Sequence, residues 1–262
     1  MKEIDIKELR QIQVDILSAV ANYCERESLR YFLGYGTLIG AIRHHGYIPW
    51  DDDIDIIMPR PDYNRFLKDF NSKYDWVKVT EKTISSKYEL PFAKVYDSRT
   101  ELIEGMYKPN CQFGVYIDVF PIDGYKERWT VLKIRMLAKF LNTKKAIIDN
   151  RRSWIKTIVI TIGKLFLLPF PVSKIIDKMD RLATKYDYDS SEMVDSMFTP
   201  YCLHEMCPKE WLNNFIMAEF EGQKYRIPEC YDMYLKNIYG DYMSLPPVDK
   251  QVAHHVFKAW WK

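Results

Sequence analysis

The chain has few cysteines, almost no net charge and no long uninterrupted apolar run, and each shortage excludes something. Its five cysteines, Cys24, Cys111, Cys202, Cys207 and Cys230, are an odd number in 262 residues, which argues against a disulfide framework. Cys202, His204 and Cys207 lie close together. Their spacing departs from that of paired zinc ligands, and only lone Cys230 remains to complete a set. A formal net charge of +2 gives no bulk affinity for nucleic acid. The opening residues MKEIDIKELR contain no apolar core of a secretory signal, so the expected location is the cytoplasm. The most apolar stretch, 154–172, is interrupted by Lys156, Lys164, Pro169 and Pro171 and does not read as a free membrane-spanning helix. There are no repeats and no low-complexity tracts.

What is present describes an ordinary folded protein, 47% hydrophobic and 28% charged, long enough for one core with a helical annex. The 19 tyrosines and a 15% aromatic share fit sugar or nucleotide surfaces and fit core filling equally well. Over residues 5–28, Ile6, Leu9, Ile12, Ile16, Leu17, Val20 and Cys24 recur at helical spacing and predict a helix packed behind a sheet. Strands are predicted near 30–35, 54–58, 75–80, 90–97, 101–104 and 113–120, with a helix over 61–72 opening on Pro61. Short strands interleaved with helices define an α/β (α+β) core, a mixed sheet flanked by helices.

The stretch 126–190 reads as helical and basic. Between Lys126 and Lys164 eleven Lys/Arg stand against two acids, Glu127 and Asp149. Two readings stay open: docking on an anionic membrane surface, or a helical hairpin covering the core with a solvated basic face. Mixed structure returns after 200, with EFEGQKYRIP as a hairpin and PECYDMYLKNIYGD as a helix ending near Gly240. The expected division is a mixed α/β core from 1–125 plus 200–262, with 126–199 as a helical insertion.

The chemistry concentrates in residues 34–58, GYGTLIGAIRHHGYIPWDDDIDIIM. Asp51, Asp52, Asp53 and Asp55 fall within five residues, and such adjacent carboxylates are costly unless a cation is among them. Read as a strand, Asp53 and Asp55 share one face while Ile54 and Ile56 share the other. That pairing suits a hard divalent cation, Mg²⁺ or Mn²⁺. The bland alternative is a solvated acidic turn, which fits poorly between Trp50 and the apolar run Ile54, Ile56, Ile57, Met58. Asp52 is expected to face away from the site. A third carboxylate is expected at Asp118, alone among apolar neighbours in VYIDVF. Asp123 is the runner-up, but Pro-Ile-Asp-Gly reads as a turn. Lys94 projects from PFAKVYD as a candidate phosphate partner, and Arg43 and His44 close the helix that follows Gly36-Thr37. Glu219 and Glu221 are read either as acids that position a bound group or as partners of nearby bases.

GTLIGAIRHHGYIPWDDDIDIIMPRPDY, PFAKVYDSRT, GVYIDVFPIDG, EFEGQKYRIPECYDMYLKNIYGDYMSLPP and the final His-His, in this order, resemble the LicD family. That family comprises phosphocholine transferases of bacterial cell-surface glycopolymers, with the fukutin-related proteins as relatives. The likeness runs from about Leu29 to His255 and implies a nucleotidyltransferase-like fold. In such a fold Gly36, Thr37 and the helix N-terminus hold phosphates. The likeness also implies Asp53, Asp55 and Asp118 as catalytic metal ligands, Asp51 as a further ligand or a support behind them, Lys94 at the phosphates, and His254, ahead of His255, at donor phosphate or acceptor. The reaction implied moves phosphocholine, or a related phospho-alcohol, from CDP-choline or a similar CDP-alcohol to a lipid-linked or polymeric glycan such as teichoic acid, lipopolysaccharide or capsule precursor. Asp118 is then the expected proton acceptor. Tyr35, Trp50, Tyr107, Tyr116, Trp211 and Tyr225 are all candidates for caging choline. The alternatives are a nucleotidyltransferase acting on a small molecule and an inactive membrane-associated binding protein. The signature of the last would be a missing acid, and no acid of the set is missing.

Overall fold

The computed structural model describes residues 2–85, 88–104, 113–146, 154–252 and 257–262. Tyr107, His254 and His255 lie outside these residues. A two-residue strand, β1 (Glu3–Ile4), leads into helix α1 (Ile6–Arg26). Asp5 caps α1, its carboxylate accepting from the Glu8 N–H. The expected apolar stripe is buried from Leu9 to Cys24, whereas Ile6, in the first turn, is exposed. Gln13 is a buried polar residue on that same face.

The expected first strand is cut short to β2 (Phe32–Leu33), because helix α2 (Tyr35–His44) starts directly after Gly34. β3 (Asp55–Pro59) follows, then α3 (Arg60–Asp69) with Pro61 in its first turn, then β4 (Val77–Thr80), β5 (Ala93–Asp97) and β6 (Thr100–Glu104). β7 (Tyr116–Tyr125) is longer than the sequence predicts. It runs straight through Pro-Ile-Asp-Gly, where a turn was expected.

The central sheet has strand order β2-β3-β7-β5-β4. β3 and β7 are parallel and the remaining pairs along this order are antiparallel, which makes the sheet mixed. α1 packs against β7 and β5, and Ile54, Ile56, Ile57 and Met58 are fully buried. The acids therefore sit at the mouth of a core strand.

Three helices fill the basic stretch: α4 (Arg128–Lys145), α5 (Trp154–Phe166) and α6 (Val172–Ala183). α4 and α6 share a small second core around Val131, Ile134, Ile176 and Met179. No helix among the described residues is long and apolar enough to cross a membrane. Helix does not continue to 190, and β8 (Met193–Asp195) joins the end of β7 and pairs in turn with β9 (Cys207–Pro208). Asp123 is thus a buried strand residue whose carboxylate takes two hydrogen bonds from Arg60, at 2.6 and 2.7 Å. That structural pairing replaces the turn reading.

β10 (Phe215–Phe220) and β11 (Gln223–Pro228) form the expected hairpin, with positive φ at both Glu221 and Gly222 of its two-residue turn. α7 (Tyr231–Tyr239) ends at Gly240, also at positive φ. β12 (Phe257–Trp261) lies between β1 and β6 in a separate three-stranded sheet.

Candidate active site

Register across three neighbouring strands assembles the centre of the site. Asp55 on β3 stands opposite Asp118 on β7, and Asp118 stands opposite Lys94 on β5. Paired residues project to the same face, giving a row of acid, acid and base. Lys94 Nζ donates to Asp118 Oδ1 at 2.6 Å and lies 3.4 Å from the centre of the Tyr116 ring. At 4% exposure its ammonium supports Asp118 from behind and does not line the cavity in front.

Asp53 is not on the strand, which begins at Asp55. It belongs to a loop that brings one ligand atom each from Asp51, Asp52 and Asp53 within 4.8 Å of one another. Asp52 was expected to face away. Its carboxylate reaches this group, although it also borders a neighbouring cavity with Arg10 and Trp50. The loop is held from behind by α1. The Gln13 amide donates to the carbonyls of Asp52 and Tyr116, both at 3.1 Å, and the Arg10 guanidinium donates to those of Asp51 and Pro49. Tyr47 OH fixes Gln13 by donating to its Oε1 at 2.8 Å.

Gly36 and Thr37 both sit inside the first turn of α2, and they do different things. The Thr37 hydroxyl accepts the Asp55 N–H at 2.8 Å and so fixes the start of β3. Gly36 lines the cavity, where a Cβ in its place would lie 2.6 Å from Asp51 Oδ2. Glycine is what allows the helix backbone this close to the acid.

A cavity of about 750 Å³ opens in front of Asp51, Asp53, Asp55 and Asp118. Arg43 borders it, with its guanidinium donating to the Tyr242 carbonyl at 2.7 Å and to His44 Nε2 at 2.9 Å. Of the candidate cage residues, Tyr35 and Trp50 line this cavity. Tyr116 lies under Lys94, and Trp211 and Tyr225 pack in the core elsewhere. Sequence reasoning missed Tyr201 and Tyr239, which also line it and meet edge to face at 5.0 Å. Tyr35 is held in a left-handed conformation (φ 46°), and its hydroxyl donates to buried Glu205 at 2.7 Å. Burial, then the charge of Asp195, pushes the Glu205 carboxyl well above the usual carboxylate range. The Glu221 carboxylate accepts the Tyr47 N–H at 3.0 Å, while Glu219 lies exposed on β10.

The electrostatics show whether a cation fits. Burial, together with Asp53, Asp118 and Asp51, drives the Asp55 carboxyl well above its ordinary range, and Lys94 offsets this only in part. A proton on Asp55 relieves the repulsion, and a divalent ion relieves it while keeping the acids charged. Oxygen-only donors on a pre-built loop match a hard cation such as Mg²⁺. The residues present fit one.

Facing carboxylates on a parallel strand pair, behind a glycine-opened helix, define a nucleotidyltransferase-like domain. A family model described as LicD/FKTN/FKRP, nucleotidyltransferase domain, matches residues 28–147. The chain is 31% identical over 267 residues to the lipopolysaccharide cholinephosphotransferase LicD of Haemophilus influenzae, covering 99% of both proteins. Shorter stretches of 31 residues, 12% of this chain, are 52% identical to uncharacterised proteins of Rickettsia prowazekii and Rickettsia typhi. The chain belongs to the LicD family, and it is a transferase.

Proposed function

We propose that this protein moves phosphocholine, or a closely related phospho-alcohol, from a CDP-activated donor to a sugar hydroxyl of a cell-surface glycan precursor, releasing CMP. The acceptor reading, a lipopolysaccharide-type glycan, follows the name of the full-length relative. The observation that carries the proposal is one cavity lined by Asp51, Asp53, Asp55 and Asp118 and also by Trp50 and Tyr201. Acids with a hard cation suit a pyrophosphate, and aromatic faces suit a quaternary ammonium. The cavity volume falls in the ordinary range for small-molecule sites.

In the proposed reaction the acceptor oxygen bonds to the phosphorus that carries the alcohol. The bond from that phosphorus to the bridging oxygen breaks, and CMP leaves with the electron pair. Asp118 takes the hydroxyl proton, held in position by Lys94. Arg43 and the first-turn amides of α2 attract the nucleotide phosphates. A divalent ion held by Asp51, Asp53, Asp55 and Asp118 would supply neutralisation of phosphate charge.

The test is incubation with Mg²⁺, a panel of CDP-alcohols and a glycan acceptor, following CMP and product mass. CMP release with choline-bearing product is the expected result, and Asp53→Ala or Asp55→Ala each lowers it by about 10³-fold or more. Pyrophosphate release from a nucleoside triphosphate would replace this reading with nucleotidyl transfer. Unchanged turnover in either alanine variant would remove the site assignment.

A further inference from the structure

α5 meets α4 along one side, and several of its described apolar side chains stay exposed. Gly163 lets it approach α4 so closely that a Cβ there would lie 2.9 Å from the Thr143 methyl. Ile158, Ile162, Leu165 and Phe166, at i, i+4, i+7 and i+8, are exposed to solvent, and the following turn adds Leu168 and Phe170. Phe166 and Leu168 are 75% and 74% exposed. A contiguous apolar surface of this kind on an otherwise folded chain marks an interaction site.

Charge identifies its partner. From Arg128 to Phe170 the sequence contains ten Lys/Arg and a single acid, Asp149. Lys144 is anchored at the apolar turn, its ammonium donating to the carbonyls of Leu167 and Phe170. Two copies of so basic a segment repel each other, whereas an anionic headgroup layer attracts it. At 13 residues and about 1.5 Å per residue, α5 is roughly 20 Å long, too short to cross a hydrocarbon core of about 30 Å. It is long enough to lie along the boundary of one.

We propose that α5 and the turn after it dock this protein on an anionic phospholipid surface, with the apolar face at the acyl boundary and the lysines at the headgroups. The idea rests on the transferase reading only in giving a purpose to the docking, which is reaching a lipid-carried acceptor.

The experiment is co-sedimentation of the full chain with phosphatidylcholine vesicles, with and without phosphatidylglycerol, alongside CMP release on a water-soluble acceptor glycan. Binding that requires phosphatidylglycerol and weakens with salt is expected. The double variant Phe166→Ser/Leu168→Ser weakens it by about tenfold or more, and Lys139→Glu/Lys164→Glu weakens it too. CMP release on the soluble acceptor is unchanged in both variants. Absence of vesicle binding, equal binding to both vesicle types, or full binding by the serine variant would overturn the proposal. So would concentration-dependent self-association, without vesicle binding, that the serine variant abolishes, because a second copy would then cover the face. Loss of CMP release in the parent protein would refute the transferase reading and leave the vesicle result standing.

Discussion

Gly36→Ala separates the chemistry of the site from the stability of the fold. The added methyl carbon would lie 2.6 Å from Asp51 Oδ2, about 0.8 Å inside ordinary contact at 3.4 Å, and no other atom nearer than 3.7 Å resists it. Gly36 has helical backbone and no positive φ. Alanine is therefore free of backbone strain and favours the helix by up to about 1 kcal/mol. The carboxylate must retreat instead. Metal-ligand distances tolerate errors of only about 0.2 Å, and a misplacement near 1 Å at a reacting centre costs about 100-fold. We expect kcat/KM for CMP release to fall about 10- to 100-fold, with the half-saturating Mg²⁺ concentration raised and the urea midpoint equal or higher. Gly40→Ala, one turn on, is the contrast. Its methyl would meet the Gly46 carbonyl oxygen at 2.4 Å, a collision with backbone that lowers stability. A Gly36→Ala enzyme with parental kcat/KM and parental Mg²⁺ dependence would refute the placement of Asp51 at the metal.

Three further outcomes follow from the same geometry. Lys94→Met removes the ammonium that Asp118 faces, with side chains only 5% and 14% exposed. It should cost about 3 kcal/mol, roughly 6–12 °C in Tm, in EDTA, with Mg²⁺ restoring part of the loss; equal Tm values in EDTA would contradict it. Gln13→Leu leaves the carbonyls of Asp52 and Tyr116 without their shared donor and should cost about 1–3 kcal/mol by denaturant titration, with lower turnover; parental values for both would show that Gln13 does not hold the loop. Burial, with the nearby Asp123 carboxylate, pushes the Asp195 carboxyl up to about 7. The folded state then binds this proton more tightly than the unfolded chain, so stability falls as pH rises from about 4 to about 7, by at most roughly 1.4 kcal/mol per pH unit. Asp195→Asn should flatten that slope, and a parallel pH profile in the variant would assign the proton elsewhere.

The apolar strand beneath the acids was legible because an apolar run is a local signal, whereas the alternation that put Asp53 beside Asp55 on that strand failed, since β3 begins only at Asp55. Asp118 could be singled out as a lone carboxylate in an apolar strand, but its register against Asp55 and Lys94 belongs to strand pairing, which no single segment encodes. Asp123 was misread for the same reason. Pro-Ile-Asp-Gly carries strong turn chemistry, and a distant partner, Arg60, together with pairing to β8 overrides it. Gln13 left a trace, a polar residue on the buried face of α1. Tyr201 and Tyr239 left none, since 19 tyrosines offer no local mark for the two that reach the cavity.

The amide of Gln13 bridges the acidic loop to β7 from a helix that ends before the family match at 28–147 begins. A fragment trimmed to the matched boundaries would keep every candidate metal-binding acid and lose the Gln13 strut behind them, along with the tyrosines contributed from beyond 200. In this protein the borders of the domain match are not the borders of the hydrogen-bond network around the acids, and excision should follow the hydrogen bonds.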